Sequence, residues 1–215
     1  MNKAYKIVFN DDSLIVVEKI AKILVQPSPK GEKHTLTSIL EREENIKVFP
    51  CHRLDRQTTG LIIYAKNPKA QSEITKEFMR GEVKKKYIAF VKGKLDKNKG
   101  LFEDLIIDRE GQAFGEKPKK AKTFFKVLQQ DEQWSMLELE PLTGRTNQLR
   151  IQLAKIGHPI LGERKYAFGR DFKVKFKRLA LHAFYLSLIH PVTRERIDLK
   201  ADLATDMKEF IAKSV

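Results

Sequence analysis

The chain has 215 residues, with 42 Lys and Arg against 28 Asp and Glu, a formal net charge of +14. No run approaches the ~18 uninterrupted apolar residues of a membrane-spanning helix, and the opening MNKAYKIVFNDD turns acidic before any apolar stretch of signal-peptide length. The single cysteine, Cys51, excludes an internal disulfide and a multi-cysteine zinc site, so a reducing, cytoplasmic setting is expected.

A hydrophobic content of 41% with 13 Phe predicts a packed core. The length suits one domain over 1–215, or two lobes sharing a core. In chain order, LIVV at 14–17 and ILVQ at 23–26 read as two short strands, the second ended by Pro27 and Pro29. Thr35 then caps a helix that carries Leu36, Ile39 and Leu40 on one face. Residues 50–60 read as a loop leading into the apolar strand LIIYA at 61–65. A helix follows, with Asn67 as N-cap, Pro68 in the first turn and Gly81 as its stop. YIAFV at 87–91 is an interior strand by its continuous apolar run. Residues 92–120 are polar and Lys-rich and read as an excursion from the sheet. A hairpin is expected from 121–128 and 134–140, then a helix from Thr146 to Ile156 closed by Gly157 and Pro159. LALHAFYLSLI at 179–189 reads as a strand, and a last helix from Thr205 is expected to bury Met207, Phe210 and Ile211. Runs of strands with inserted helices predict an α+β fold rather than βαβ winding.

The charge is uneven. Residues 1–60 hold ten basic and eight acidic side chains, and residues 61–215 hold 32 and 20. Basic clusters lie at Lys84–Lys86, at 116–126 and at 164–178, the last two interleaved with aromatics. Cations meet phosphates and rings stack on exposed bases, so the pattern suits RNA. Read singly, each cluster better suits a solvated strand pair whose Phe residues point inward; three in the same two-thirds of the chain favour nucleic acid.

Two polar constellations stand out. In CHRLDRQTTG at 51–60, Asp55 lies between Arg53 and Arg56 at the mouth of a strand. Such a loop can present a side chain while the sheet holds its backbone; an Asx turn or an exposed Arg–Asp pair is the alternative. In GRTNQLRIQLAKIGHPILG at 144–162, helical spacing sorts Leu149, Leu153 and Ile156 into a core stripe. Gln148, Gln152 and Lys155 are expected to face water, and Asn147, Arg150, Ile151 and Ala154 form a third face. On that partly apolar face Arg150 needs an anion, Asp55 or a local partner. Tyr87 follows three lysines directly into a strand, where its ring can stack or simply close the core.

Residues 51–67, CHRLDRQTTGLIIYAKN, resemble the catalytic signature of the RluA family of pseudouridine synthases, H-R-L-D-x-x-T-S-G-L-L. Residues 144–166, GRTNQLRIQLAKIGHPILGERKY, resemble that family's downstream signature, G-R-T-H-Q-I-R-V-H-L-A-x-x-G-H-P-I-x-G-D. The K-x-Y of Lys85–Tyr87 and RLALHAFYLSLIHPVT at 178–193 match further family stretches, in family order.

The resemblance implies the α+β pseudouridine synthase fold, a mixed, mostly antiparallel sheet flanked by helices with a catalytic cleft across it. It implies an RNA pseudouridine synthase that isomerises one uridine in a tRNA or rRNA stem-loop after flipping the base out. Asp55 would be the catalytic aspartate, Tyr87 the base-stacking tyrosine and Arg150 the arginine paired with the aspartate. Arg53 would enter the gap the base leaves. Arg56, Lys85, Arg145, Lys165, Lys173, Lys175 and Lys177 are the further expected RNA contacts. No metal, organic cofactor or obligatory protein partner is implied, and a monomer is expected. The match begins near residue 5, so no preceding S4-type RNA-binding domain is expected.

Several positions depart from the family pattern. Asn147 and Gln152 stand where His is common, Thr59 for Ser, Glu163 for Asp, and Ala204 where Pro is frequent. VVEKIAKILVQP is a weak match to K-P-x-G-x-x-V-H, with Ile20, Lys22 and Gln26 departing. None of these is an Asp55, Tyr87, Arg53 or Arg150 position. Two other readings remain from residues alone. One is a non-catalytic RNA-binding protein, which would need the lysines but not Asp55, Tyr87 and Arg150 together. The other is a metal-dependent nuclease built on His52, Asp55 and His158.

Overall fold

The computed structural model describes residues 3–28, 31–107, 117–167 and 173–214. Its elements in chain order are β1 (Tyr5–Asn10), β2 (Leu14–Lys19), α1 (Leu36–Glu44), β3 (Phe49–Pro50), β4 (Thr59–Ala65), α2 (Pro68–Arg80), β5 (Lys84–Lys92), β6 (Lys99–Ile106), β7 (Lys119–Gln130), β8 (Trp134–Pro141), α3 (Gln148–Lys155), β9 (Leu181–Ile189), β10 (Arg196–Lys200) and α4 (Thr205–Lys213). They fall into two compact units, residues 1–85 with 182–215, and residues 86–181. Strands with inserted helices make the fold α+β, as the sequence pattern implies.

In the first unit β2 pairs antiparallel with β1 and with β4, and β9 with β10. β4 meets β9 in parallel, through Thr59 opposite His182 and Gly60 opposite Ala183. All seven residues of β4, TGLIIYA, are buried, because both faces of the strand are covered. Leu61, Ile63 and Ala65 share a core with Leu14, Val16 and the α2 residues Ala70 and Ile74. On the opposite face the Tyr64 hydroxyl lies 3.4 Å from Thr37 of α1. Burying each such Leu or Ile contributes about 1.5–3 kcal/mol. Both helices start where the sequence sets them. Asn67 accepts the Ala70 N–H at 2.9 Å, and Thr35 forms a reciprocal capping box with Ser38.

Residues 23–26 do not form a strand. The hairpin partner of β2 lies upstream, in β1, which the sequence reading missed along with β10. Ile23 and Val25 are buried as strand residues would be. The carbonyls of Leu24 and Val25, however, accept the N–H groups of Leu36 and Thr37 at the start of α1. They satisfy helix donors rather than a ladder. Pro29 and part of the 164–178 cluster, residues 168–172, lie outside the described residues, as does Glu116. In α4 only Met207 is fully buried, with Phe210 and Ile211 half-buried.

In the second unit β5, β8, β7 and β6 lie side by side, antiparallel throughout. Within residues 92–120, read as an excursion, residues 108–116 lie outside the described residues, and Lys99–Ile106 form the strand β6, at the edge of the described sheet. Its pattern is inverted relative to a simple hydropathy reading, with Leu101 and Leu105 exposed and Phe102 and Asp104 turned inward. Phe102 stacks on Phe125 of β7 at 4.3 Å. α3 begins at Gln148, two residues later than expected, because Asn147 takes a left-handed φ of 53°.

One backbone approach decides the entry to β4. Gly60 has φ of 112°, and a Cβ there would lie 2.2 Å from the Ala183 carbonyl oxygen. Only glycine allows β4 to come this close to β9. Gly60→Ala is expected to cost at least about 1–3 kcal/mol from backbone strain alone, read as a lowered urea midpoint. An unchanged midpoint would show that the approach is not required.

Candidate active site

The loop of residues 51–58 is short and closely tied. Its first anchor is His52, whose Nε2 accepts the Ile63 N–H at 3.0 Å. Burial, with the Lys85 charge behind it, pulls the His52 pKa down to about 3, so the ring is neutral and able to accept. The side chain of Leu54 is buried. The Arg56 carbonyl takes the Lys22 N–H at 2.7 Å and the Lys19 ammonium at 3.3 Å. The Thr58 N–H closes a turn onto the Asp55 carbonyl at 3.1 Å. The hydroxyl of Thr59 meets His182 Nδ1 at 2.8 Å, fully buried. Asp55 sits half-buried in the middle of these ties, with Arg53 and Arg56 exposed on either side. The side chain of Arg56 is ion-paired with Glu32.

Lys19 is a site residue the sequence reading missed. It is 1% exposed, and its ammonium also donates to the carbonyls of Ile20 at 2.8 Å and Ile23 at 3.0 Å. A buried ammonium needs such acceptors, and here they join the end of β2 to the Asp55 loop. The one signal in the sequence is a lysine closing an otherwise apolar strand, LIVVEK.

Arg150 projects from α3 in the second unit. Its Nε and Nη2 form a two-pronged pair with Glu163, at 2.7 and 2.9 Å. Its Nη1 donates to Asn147 Oδ1 at 2.8 Å. Glu163 also accepts the N–H groups of Lys165 at 2.7 Å and Tyr166 at 3.2 Å. Burial alone would raise the Glu163 pKa; Arg150 and the two backbone donors bring it below the usual carboxylate range. The guanidinium lies 5.1 Å from the centre of the Tyr166 ring, and Lys165 Nζ lies 4.7 Å from it. The structure thus gathers Asn147, Arg150, Glu163, Lys165 and Tyr166. Within its own unit, the carboxylate that Arg150 meets is Glu163. In the sequence Glu163 stands out only as a departure from the family's Asp.

The helix faces also need correction. Gln148 and Gln152 are buried, whereas Ile156 is 40% exposed. Gln148 accepts the Thr143 hydroxyl at 2.7 Å and the Arg145 N–H at 3.0 Å. Its amide donates to the Lys122 carbonyl and to Thr123. Gln152 accepts the Thr123 hydroxyl at 2.7 Å. This polar ladder fixes the 143–147 turn and α3 against β7, a role that helical spacing alone assigns to apolar residues.

The other expected residues are each placed within their own unit. Tyr87 is half-buried near the start of β5. Burial lowers the Lys85 pKa, and its ammonium lies 5.8 Å from the Phe78 ring. Arg145 is exposed, with Nε on the Lys120 carbonyl at 3.2 Å. Lys173, Lys175 and Lys177 are exposed on a segment without regular structure. His158 Nδ1 lies 2.8 Å from the Lys92 carbonyl, so both this ring and His52 serve backbone groups. Among the described residues, no three His, Cys, Asp or Glu side chains gather as a metal site would need.

The architecture is that of the pseudouridine synthases: the human protein RNA pseudouridylate synthase domain containing 4 superimposes with a TM-score of 0.81 at 22% identity, covering 96% of this chain and 92% of that one. A family profile described as RNA pseudouridylate synthase matches residues 13–155. The dual-specificity RNA pseudouridine synthase RluA of Vibrio parahaemolyticus is 36% identical over 217 residues, covering 95% of this chain and 86% of that protein. The ribosomal large subunit pseudouridine synthase D of Nitrosomonas europaea is 35% identical over 224 residues, covering 96% of this chain and 64% of its own length. The chain belongs to the RluA family of RNA pseudouridylate synthases.

The Arg150–Glu163 pair can be tested directly. Arg150→Met leaves a buried carboxylate uncompensated and is expected to destabilise by about 3–5 kcal/mol, whereas Arg150→Met with Glu163→Leu should regain most of the loss. The folded-state pKa of Glu163 is depressed. Its contribution is therefore complete above the ordinary carboxylate pKa and is lost as pH falls through the lower folded value. The gap between wild type and Arg150→Met in urea unfolding should accordingly narrow on acidification; a gap constant with pH would contradict the pairing.

Proposed function

We propose that the protein isomerises a specific uridine in a tRNA or rRNA stem-loop to pseudouridine, with Asp55 as the one catalytic carboxylate. The observation that carries the reading is Asp55 itself, held in the HRLD signature of the family on a loop tied at His52, Leu54, Arg56 and Thr58. The names of the relatives, one a ribosomal large subunit enzyme and one dual-specificity, support an RNA substrate of this kind.

The reaction breaks the N1–C1′ bond, turns the uracil and joins C5 to C1′. One proton leaves C5 and one arrives at N1, so the composition is unchanged. The base must leave its stack, which costs a few kcal/mol. Tyr87 as a stacking face and Arg53 as filler of the vacated gap offset part of that cost. Cleavage develops positive character on the sugar. An ionised carboxylate serves there as nucleophile at C1′ or as base at C2′. Uracil leaves as a delocalised anion and stays in the site, so no second acid is required. Tyr87 is placed by the same reading to assist removal of the C5 proton. Arg150 supplies the cation that pairs with the aspartate. On this reading the enzyme works in the cytoplasm as a monomer, without metal or organic cofactor.

Asp55→Asn is expected to lower pseudouridine formation by at least about 10⁴-fold, with RNA affinity largely kept. Because product and substrate have equal mass, the assay is carbodiimide labelling or nucleoside chromatography. Turnover near the wild-type rate in Asp55→Asn would overturn the assignment.

A further inference from the structure

The hairpin of β6 and β7 carries a face that the catalytic reading does not use. Residues directly opposite one another on this face are Lys99 and Lys126, Leu101 and Phe124, Glu103 and Lys122, and Leu105 and Lys120. Phe124 is 48% exposed and Leu101 42%, although both lie in regular strands. Their inward neighbours, Phe125, Thr123 and Ala121, are buried, so the exposure belongs to the outer face alone.

On the two strands of the hairpin four lysines share this face with Glu103, which is claimed by Lys120 and Lys122; β8 adds Glu138 opposite Lys126 and Glu140 opposite Phe124. On the neighbouring β8, Glu138 is taken by Lys86 at 2.9 Å. Lys99 and Lys126 stand directly opposite each other, and no ion pair joins either to an acid among the described residues. Like charges in that position destabilise a strand pair, and a bound anion would relieve the repulsion. Beside them, at the bulge between Val127 and Gln129, lies a concavity of about 390 Å³ lined by Asn98, Lys99, Lys126, Gln129 and Gln130 among others.

We propose that this face, with Phe124 and Leu101 between the Lys99–Lys126 and Lys120–Lys122 pairs, grips a single-stranded segment of the RNA outside the catalytic pocket. The reading rests on RNA being the substrate. The lysines take phosphates and the Phe124 ring takes a base. A duplex would offer phosphates but no free base face for Phe124. A second copy of the chain would bring lysines against lysines. The surface thereby extends specificity to nucleotides flanking the stem-loop.

The test uses the intact protein and a fluorescein-labelled stem-loop RNA, with and without a single-stranded extension of ~6 nucleotides. The extension is expected to tighten wild-type binding at least about 5-fold. Phe124→Ala and Phe124→Leu should both lose that gain while binding the plain stem-loop as wild type does. Lys99→Ala with Lys126→Ala should lower the slope of log K against log salt by about 1.4 for the extended RNA. An extension without effect on wild type, or a gain kept in the variants, overturns the proposal. So does a self-association seen by sedimentation that Phe124→Ala abolishes while the extension gain persists. The two readings separate cleanly. Binding that follows this pattern with no pseudouridine formed fails the activity alone; pseudouridine formed with no response to the extension fails the surface alone.

Discussion

Gly60 has Lys19 as its register partner on one side and Ala183 on the other. That crossing of three strands governs what precedes it in the chain. Without a side chain at Gly60, β4 and β9 approach closely enough for Thr59 to reach His182 in a fully buried hydrogen bond. Lys19, at the end of β2, is then drawn under the same crossing, and its ammonium spans from the carbonyls of Ile20 and Ile23 to that of Arg56. The Asp55 loop is thus held through its backbone, by groups with no freedom to relax without stranding a buried charge or carbonyl. A carboxylate carried on such a loop does not have to be ordered when substrate arrives.

The second unit solves a similar problem with side chains. α3 packs on its sheet through glutamines rather than leucines, and their hydrogen bonds are satisfied at both ends. A polar interface of this kind tolerates little sliding, since each displaced partner would leave a buried amide unmet. Arg150 rides on that helix and is gripped in a fork by Glu163, itself capped by two backbone donors. The rigidity of the arginine therefore rests on a carboxylate that lies outside the proposed chemistry.

The large elements were legible because their signals are local. Asn67, Pro68 and Gly81 bracket α2, Thr35 caps α1, and LIIYA at 61–65 is an apolar run that lies within β4. β6 was not legible, because its leucines face outward and its aspartate inward, and only the pairing with β7 decides that. Residues 23–26 had strand composition but gave the carbonyls of Leu24 and Val25 to α1, a choice made by a segment twelve residues away. The family signatures marked Asp55, Tyr87 and Arg150. The residues that brace the Asp55 loop and Arg150, namely Lys19, Gln148 and Glu163, were hidden. A buried lysine, a buried glutamine and a conservative acid all read as surface until the partner is seen.

The +14 charge that first pointed to nucleic acid resolves into separate jobs: Lys19 braces a loop and Arg150 meets Glu163, while Lys173, Lys175 and Lys177 stand in solvent. The most direct test of the whole account is a map of pseudouridines in tRNA and rRNA from cells with and without this gene. The expected result is the disappearance of pseudouridine at one stem-loop uridine, or a small set of them, and its return when the gene is restored. An identical map in both cells would contradict the account.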